Sequence, residues 1–343
     1  MKAAVLEKPK EMKLKNIPVP EFSEDQVLVR VKEVGVCGSD VHFYNTGRLG
    51  DLAKMDGPII LGHESSGIIE EIGKNVSGFE VGDKVAIEPG VPCYKCDYCK
   101  SGDYHLCGDV EFMAIPPNNG SYREYIAYDP HFLYKVSDKI SFSQAACVEP
   151  FSVGYSCAIN SNLKPGDSVC ILGAGPIGLA SLDLCYAMGA SKVYISDIND
   201  YRLDIAQKHG AFLTINSQEK DLVSTIMEKT KNMGVDTVIE TAGFVQTIKD
   251  SINVTKKGGS IAWVSLNQDI VDISYLDIVC KELNIKGVFR YKNSYKPIIN
   301  LLEAGKINFD GWVSHKFSLE KINEAFELAS DKNVNKMKIM ITI

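Results

Sequence analysis

From Met1 to about Pro150 the chain carries short apolar runs rich in valine and isoleucine, such as VLVRV at 27–31 and SSGIIEEIG at 65–73, interrupted by glycine and proline. That pattern predicts a barrel-like β domain with few long helices. From about Phe151 the texture changes to strand and helix patterns in alternation: SVCILG, a helix over about 176–188, KVYISD, a helix around 202–209, then FLTIN. VDTVIET, SIAWVS and NIKGVF follow, each after a helical pattern. Alternation of this kind predicts βαβ units around a parallel sheet. After about Arg290 the pattern is less regular, with helices expected near 295–304 and 319–329 and a final strand MKIMITI. This last segment is expected to return to the first domain. The expected division is therefore 1–150, 151–289 and 290–343, with short connections and a cleft between domains.

Length agrees with the division, because 343 residues exceed what one hydrophobic core holds. Hydrophobic content of 45% and charged content of 24% lie near the averages for globular proteins, which argues against disorder and fibrous repeats. A net charge of −7 and the lack of a basic run flanked by aromatics give no basis for binding nucleic acid. The apolar stretch 169–182 is broken by glycines and a proline and is shorter than the ~20 residues that span a bilayer, so no membrane partner is expected. The N-terminus lacks the long apolar core of a secretory signal, and a cytoplasmic location is the expectation. Ten cysteines in such a chain point to reduced thiols rather than a disulfide framework, and four of them crowd into 93–107.

Those four, Cys93, Cys96, Cys99 and Cys107, are spaced C-x2-C-x2-C-x7-C in a loop with Pro92 and Gly102. Four thiolates complete a tetrahedral zinc site with no open position, so the expected role is structural. A reduced cysteine loop and a four-cysteine iron–sulfur cluster are the alternatives, the spacing being poorer for the cluster. A second, scattered set comprises Cys37 in GVCGSDVH, His63 and Glu64 in LGHESSG, and Glu149 in CVEP. Spacing alone does not show that these meet. Taken singly they read as a buried small hydrophobe, a core histidine, a solvated charge and a helix-cap carboxylate.

Gly173, Gly175, Pro176, Ile177 and Gly178 lie in GAGPIG, which follows an apolar strand and opens a helix. The glycines suit a tight turn, close backbone approach to a pyrophosphate and close helix–strand packing. Asp197 ends the next strand, where a carboxylate accepts hydrogen bonds from ribose hydroxyls and repels a 2′-phosphate. NAD is the expected cofactor on that ground, although Arg202 nearby is of the type that accommodates a 2′-phosphate.

GVCGSDVHFYNTGRLG, PIILGHESSGIIEEIG, VGDKVAIEPGVPCYKCDYCKSGDYHLC, GAGPIG and GVFRY, in this order, resemble the zinc-containing medium-chain dehydrogenases, specifically their sorbitol dehydrogenase branch. The resemblance spans nearly the whole chain and weakens in the last fifty residues. It implies an α/β protein in which a GroES-like β-rich catalytic domain is combined with a Rossmann doubly wound parallel sheet, and in which the C-terminal segment completes the catalytic domain. It also implies two zinc ions per subunit. One is catalytic, held by Cys37, His63 and Glu64 with Glu149 as a ligand or bound through water; the other is structural, on the four cysteines.

Further carry-over makes Ser39 and His42 a proton relay and Tyr44, Phe112, Glu149, Arg290 and Tyr291 substrate residues. Ile177, Asp197, Arg202, Val264, Leu266, Val288 and Arg290 fall at positions that touch NAD. The expected activity is oxidation of a secondary alcohol of a polyol of the sorbitol or xylitol type by NAD, giving a ketose, in a homotetramer. A 2,3-butanediol or L-threonine dehydrogenase is the alternative within the family, and a non-catalytic zinc- and nucleotide-binding relative the alternative outside catalysis. Tyr155 and Ser156 stand where the family usually has a small residue and a histidine.

Overall fold

A computed structural model describes residues 1–266 and 270–343, and the chain divides into two compact units. Unit 1 comprises Met1–Glu149, Tyr295–Glu303 and Trp312–Ile343; unit 2 comprises Pro150–Ser294 and Ala304–Gly311. The C-terminal segment is thus shared: residues 290–294 and 304–311 belong to unit 2, and the remainder completes unit 1.

Unit 1 is built on a seven-stranded sheet in the order Leu133–Lys135, Lys84–Ile87, Glu64–Ile72, Val27–Gly35, Lys338–Thr342, Val313–Ser318, with Tyr125–Tyr128 also pairing Val27–Gly35. A smaller sheet of Glu11–Asn16, Lys2–Lys8 and Ile59–Ile60 packs in the same unit. VLVRV lies in the central strand, and its residues Val27, Val29 and Val31 are buried together with Ile69, Val85, Ile87, Phe326 and Ile341. The final strand pairs antiparallel with it, Met340 opposite Gly35 and Thr342 opposite Glu33. One end of the chain is therefore locked into the middle of the sheet that carries the candidate metal ligands.

Unit 2 holds six parallel strands in the order Leu213–Asn216, Lys192–Asp197, Ser168–Leu172, Val235–Glu240, Thr255–Trp263, Asn284–Gly287. In chain order this is 3-2-1-4-5-6, the doubly wound arrangement whose strand order reverses beside the first strand. Ser168–Leu172 runs into the glycine turn and then into the Pro176–Ala187 helix, with Gly175 as its N-cap and proline at its first position. Proline there removes an N–H that has no intrahelical partner, and its fixed φ suits helix entry.

One buried polar group of unit 2 joins distant parts of its chain. The side chain of His209 is fully buried, its Nδ1 2.9 Å from Asp183 Oδ1 and its Nε2 2.7 Å from the Asp310 carbonyl. Burial opposes charge on the ring, yet Asp183 and Asp310 raise its pKa above the ordinary histidine value. This pairing fastens the 304–311 segment to unit 2.

Candidate active site

Cys37 is the N-cap of the Gly38–Thr46 helix, a nine-residue element that the glycine-rich pattern does not announce. His63 and Glu64 lie where the chain enters the Glu64–Ile72 strand, and Glu64 pairs directly with Gly35 of the central strand. A side chain at position 35 would collide with Glu64, because its Cβ would fall 2.1 Å from Glu64 Oε2. Glycine at 35 thus lets the carboxylate fold back over the sheet. One ligand atom from each of Cys37, His63 and Glu64 falls within a 4.8 Å cluster, with His63 and Glu64 buried.

Two supporting residues were not legible in the sequence. Asp40, buried at the third position of the helix, accepts from Cys37 N at 3.2 Å and from Gly62 N at 3.1 Å, and its Oδ1 lies 3.4 Å from His63 Nδ1. A carboxylate on Nδ1 orients the ring and leaves Nε2 for a metal. Burial disfavours charge on His63, but Asp40 and Cys37 outweigh it and hold the imidazole well above the ordinary histidine range. Metal loading must therefore displace a proton. The only signal in the sequence is an acidic residue three positions after an N-cap.

Lys338, from the last strand, places its Nζ 2.6 Å from each Glu64 oxygen and is 2% exposed. Burial opposes its charge, yet Glu64 and Cys37 raise its pKa above the lysine value. In MKIMITI it reads as an interruption of an apolar strand, and nothing local announces its partner. Thiolate, imidazole and carboxylate with an oriented second nitrogen and a buried counter-charge are a donor set that fits zinc.

Among the described residues Cys37, His63 and Glu64 close into one set, and Glu149, expected beside it as a ligand or through water, is buried in the first turn of the Val148–Asn160 helix. Proline at 150 fixes that turn. Phe112 does reach the set, its ring 5.8 Å from the His63 imidazole. Ser39 is half-buried and His42 exposed on the same helix as Cys37. Tyr44 is buried in the unit 1 core, 4.9 Å from the Phe326 ring, with its hydroxyl directed to the Lys10 carbonyl at 3.4 Å. Arg290, with φ of 57°, and buried Tyr291 belong to unit 2.

The four loop cysteines form a second cluster, with Cys96 and Cys99 sulfurs 3.4 Å apart and Cys93 and Cys99 sulfurs 3.9 Å apart. Sulfurs about 2.3 Å from a shared zinc stand at about this separation in a tetrahedron. Backbone N–H groups of Lys95 and Cys96 lower the Cys93 thiol to about 6, whereas desolvation and its sulfur neighbours push Cys99 up to about 12. The cluster fits a closed zinc site.

In unit 2 the glycine turn has the steric signature of a nucleotide cradle. Gly173 has φ of 101°, and a Cβ on Gly178 would lie 1.8 Å from the Gly173 carbonyl oxygen. At Gly175 the nearest atom to a Cβ is Arg202 Nη1 at 3.8 Å, so the turn is open there. Asp197 accepts from Ala174 N at 2.7 Å and lies 3.8 Å from Arg202. Val264 continues from the Thr255–Trp263 strand, Leu266 is exposed, and Val288 N donates to the Trp263 carbonyl at 2.8 Å. Ile177 follows Pro176 in the first turn of the helix.

Residues 23–138 match the alcohol dehydrogenase GroES-like domain and residues 176–304 match the zinc-binding dehydrogenase domain. A sorbitol dehydrogenase of Bacillus subtilis is 39% identical over 342 residues, covering 99% of this chain and 97% of the relative. The chain belongs to the zinc-containing medium-chain dehydrogenases. Among solved structures of such dehydrogenases, an Escherichia coli oxidoreductase/dehydrogenase of unknown specificity aligns with a TM-score of 0.96 at 36% identity, over 100% of this chain and 99% of that one. The 2R,3R-butanediol dehydrogenase of Bacillus subtilis aligns with a TM-score of 0.92 at 30% identity, over 100% and 99%. As a member of this family the chain is an oxidoreductase of the alcohol dehydrogenase type acting on a small molecule, with a GroES-like unit and a Rossmann unit. No helix among the described residues is long and apolar enough to cross a membrane.

Proposed function

We propose that this dehydrogenase oxidises a secondary alcohol of a polyol of the sorbitol or xylitol type with NAD, giving a ketose. The observation that carries the chemistry is the convergence of Cys37, His63 and Glu64 on one point, in a chain 39% identical to a sorbitol dehydrogenase. Zinc, which those three residues would hold, would supply a Lewis acid for a hydroxyl oxygen. NAD on the cradle of Gly173, Gly175 and Gly178 supplies the hydride acceptor.

The chain's own groups do the rest. Phe112 beside His63 gives the metal set an apolar wall that keeps water away. The proton leaves through Ser39 and His42, a half-buried hydroxyl followed by an exposed imidazole. Glu149 is the carboxylate base that serves the substrate side. A polyol needs several oriented donors, and Arg290 with its fixed fork and Tyr291 are the groups assigned to it. Asp197 favours NAD over NADP, because a 2′-phosphate would meet its carboxylate. Self-association as a homotetramer completes the proposal, supported by exposed Tyr275, Leu276 and Val279 in the helix that precedes the outermost strand Asn284–Gly287.

The likeness to a 2R,3R-butanediol dehydrogenase keeps a second reading, a vicinal diol as substrate. The experiment is reduction of NAD and of NADP by zinc-loaded protein over sorbitol, xylitol, galactitol, 2,3-butanediol, L-threonine and 2-propanol. The expected result is turnover of a polyol with NAD at a kcat/KM far above that with the other alcohols. Turnover confined to butanediol or threonine refutes the polyol assignment, and preference for NADP refutes the role given to Asp197.

A further inference from the structure

Glu240 ends the central Val235–Glu240 strand with 0% of its surface exposed. Its Oε1 accepts from Ala242 N at 2.9 Å, Gly243 N at 2.7 Å and Thr247 Oγ1 at 2.8 Å, while its Oε2 accepts from Ser265 Oγ at 2.6 Å. All four donors are neutral. A buried carboxyl is costly unless its lone pairs are filled, and here they are filled from the 241–243 loop, the first turn of the following helix and Ser265.

The 241–243 loop lies against the glycine turn. Thr241 Oγ1 donates to the Leu172 and Gly173 carbonyls at 3.0 and 3.2 Å, and a Cβ on Gly173 would come within 2.7 Å of that oxygen and 3.2 Å of Ala242. The 241–243 loop is thus the wall against which the glycine turn is pressed. Gly243, with φ of 76°, approaches Ser265 so closely that a Cβ would stand 3.1 Å from the serine Cβ. Ser265 in turn sits between Val264 and Leu266, at the end of the neighbouring strand.

We propose that Glu240 is a positioning residue of the dinucleotide site, clamping the 241–243 wall and the 264–266 loop into one rigid border so that neither moves without the other. The proposal rests on the reading of unit 2 as an NAD-binding unit. Preorganisation of this kind lowers the ordering cost of binding and shows as nucleotide affinity.

The test is NADH binding, followed by nucleotide fluorescence and calorimetry, in Glu240→Gln, Glu240→Ala and Ser265→Ala. Glutamine keeps Oε1 as the triple acceptor and donates from Nε2 to a rotated Ser265 hydroxyl, so E240Q is expected to stay within about threefold of wild type. E240A removes both attachments, and S265A cuts only the tie to the 264–266 loop; each is expected to weaken NADH by about tenfold or more, as for loss of a hydrogen bond to a charged group. The loss is read in NADH Kd and in KM for NAD, with KM for the alcohol as internal reference. Should E240A fail to fold, S265A decides on the same threshold. Affinity within threefold of wild type in S265A, or an equal loss in nucleotide and alcohol KM, overturns the clamp. A wild-type protein that binds neither NADH nor NADPH refutes the dinucleotide reading itself.

Discussion

Lys338 brings a buried cation to both oxygens of Glu64, the carboxylate of the metal set. Removing one member of such a pair leaves the other charge buried and unmatched, typically at a cost of about 3–5 kcal/mol. Lys338→Met should therefore lower the stability of metal-free protein by about that amount. Zinc should restore most of it, since the metal then faces the orphaned carboxylate. Denaturant unfolding with and without zinc checks this; a loss under about 1 kcal/mol, or one that zinc does not relieve, would refute it. The same residue marks a limit of reading the chain. Cys37, His63 and Glu64 were legible through the motifs around them, but Asp40 and Lys338 act through contacts 22 and 274 positions away in sequence. Glu149 was legible in the same way as Cys37, from the CVEP motif that carries it.

At the scale of elements, the cysteine loop leaves the sheet between the Gly90–Val91 and Glu111–Phe112 strands and is tied back by Glu88. That buried carboxyl accepts from Tyr104 of the loop and from Tyr134 of the Leu133–Lys135 strand, each at 2.9 Å. Burial raises its pKa to about 7 against an ordinary 4.5, the two tyrosines opposing the shift and Glu149 adding to it. Because the folded protein holds this proton more tightly than the unfolded chain, the contribution is fully present below about pH 4.5 and is lost as pH rises through about 7. Glu88→Gln removes the titration, so its stability relative to wild type should rise between pH 5 and pH 8, by on the order of 3 kcal/mol. Melting both proteins across that range decides it, and parallel pH profiles would sink the assignment. The strands and helices themselves were largely legible, because periods of 2 and 3.6 are local. The Gly38–Thr46 helix was not, since its cap and its glycines look like a turn until Asp40 closes it.

For the whole molecule, the chain divides into two units at residues 149 and 150, near the change of texture, and the strand order 3-2-1-4-5-6 is that of a doubly wound parallel sheet. What periodicity does not carry is the weaving of 304–311 into unit 2, which depends on the buried His209 bonding to Asp183 and to the Asp310 carbonyl. Nor does it say what covers the sheet edge. Among the described residues Asn284–Gly287 is outermost in its sheet, and Tyr275, Leu276 and Val279 of the preceding helix are 79%, 69% and 51% exposed. An outermost strand that follows exposed apolar side chains invites a further strand, and a second copy of the same chain supplies one with matching chemistry. Sedimentation of the wild-type protein at micromolar concentration should then give a multiple of the chain mass, four chains on the proposal made above. Leu276→Glu should shift it to smaller species with the far-ultraviolet circular dichroism unchanged, because the side chain lies on the surface of its own subunit. A wild-type protein that sediments as one chain, or an L276E variant that assembles as before, would remove this edge from the interface.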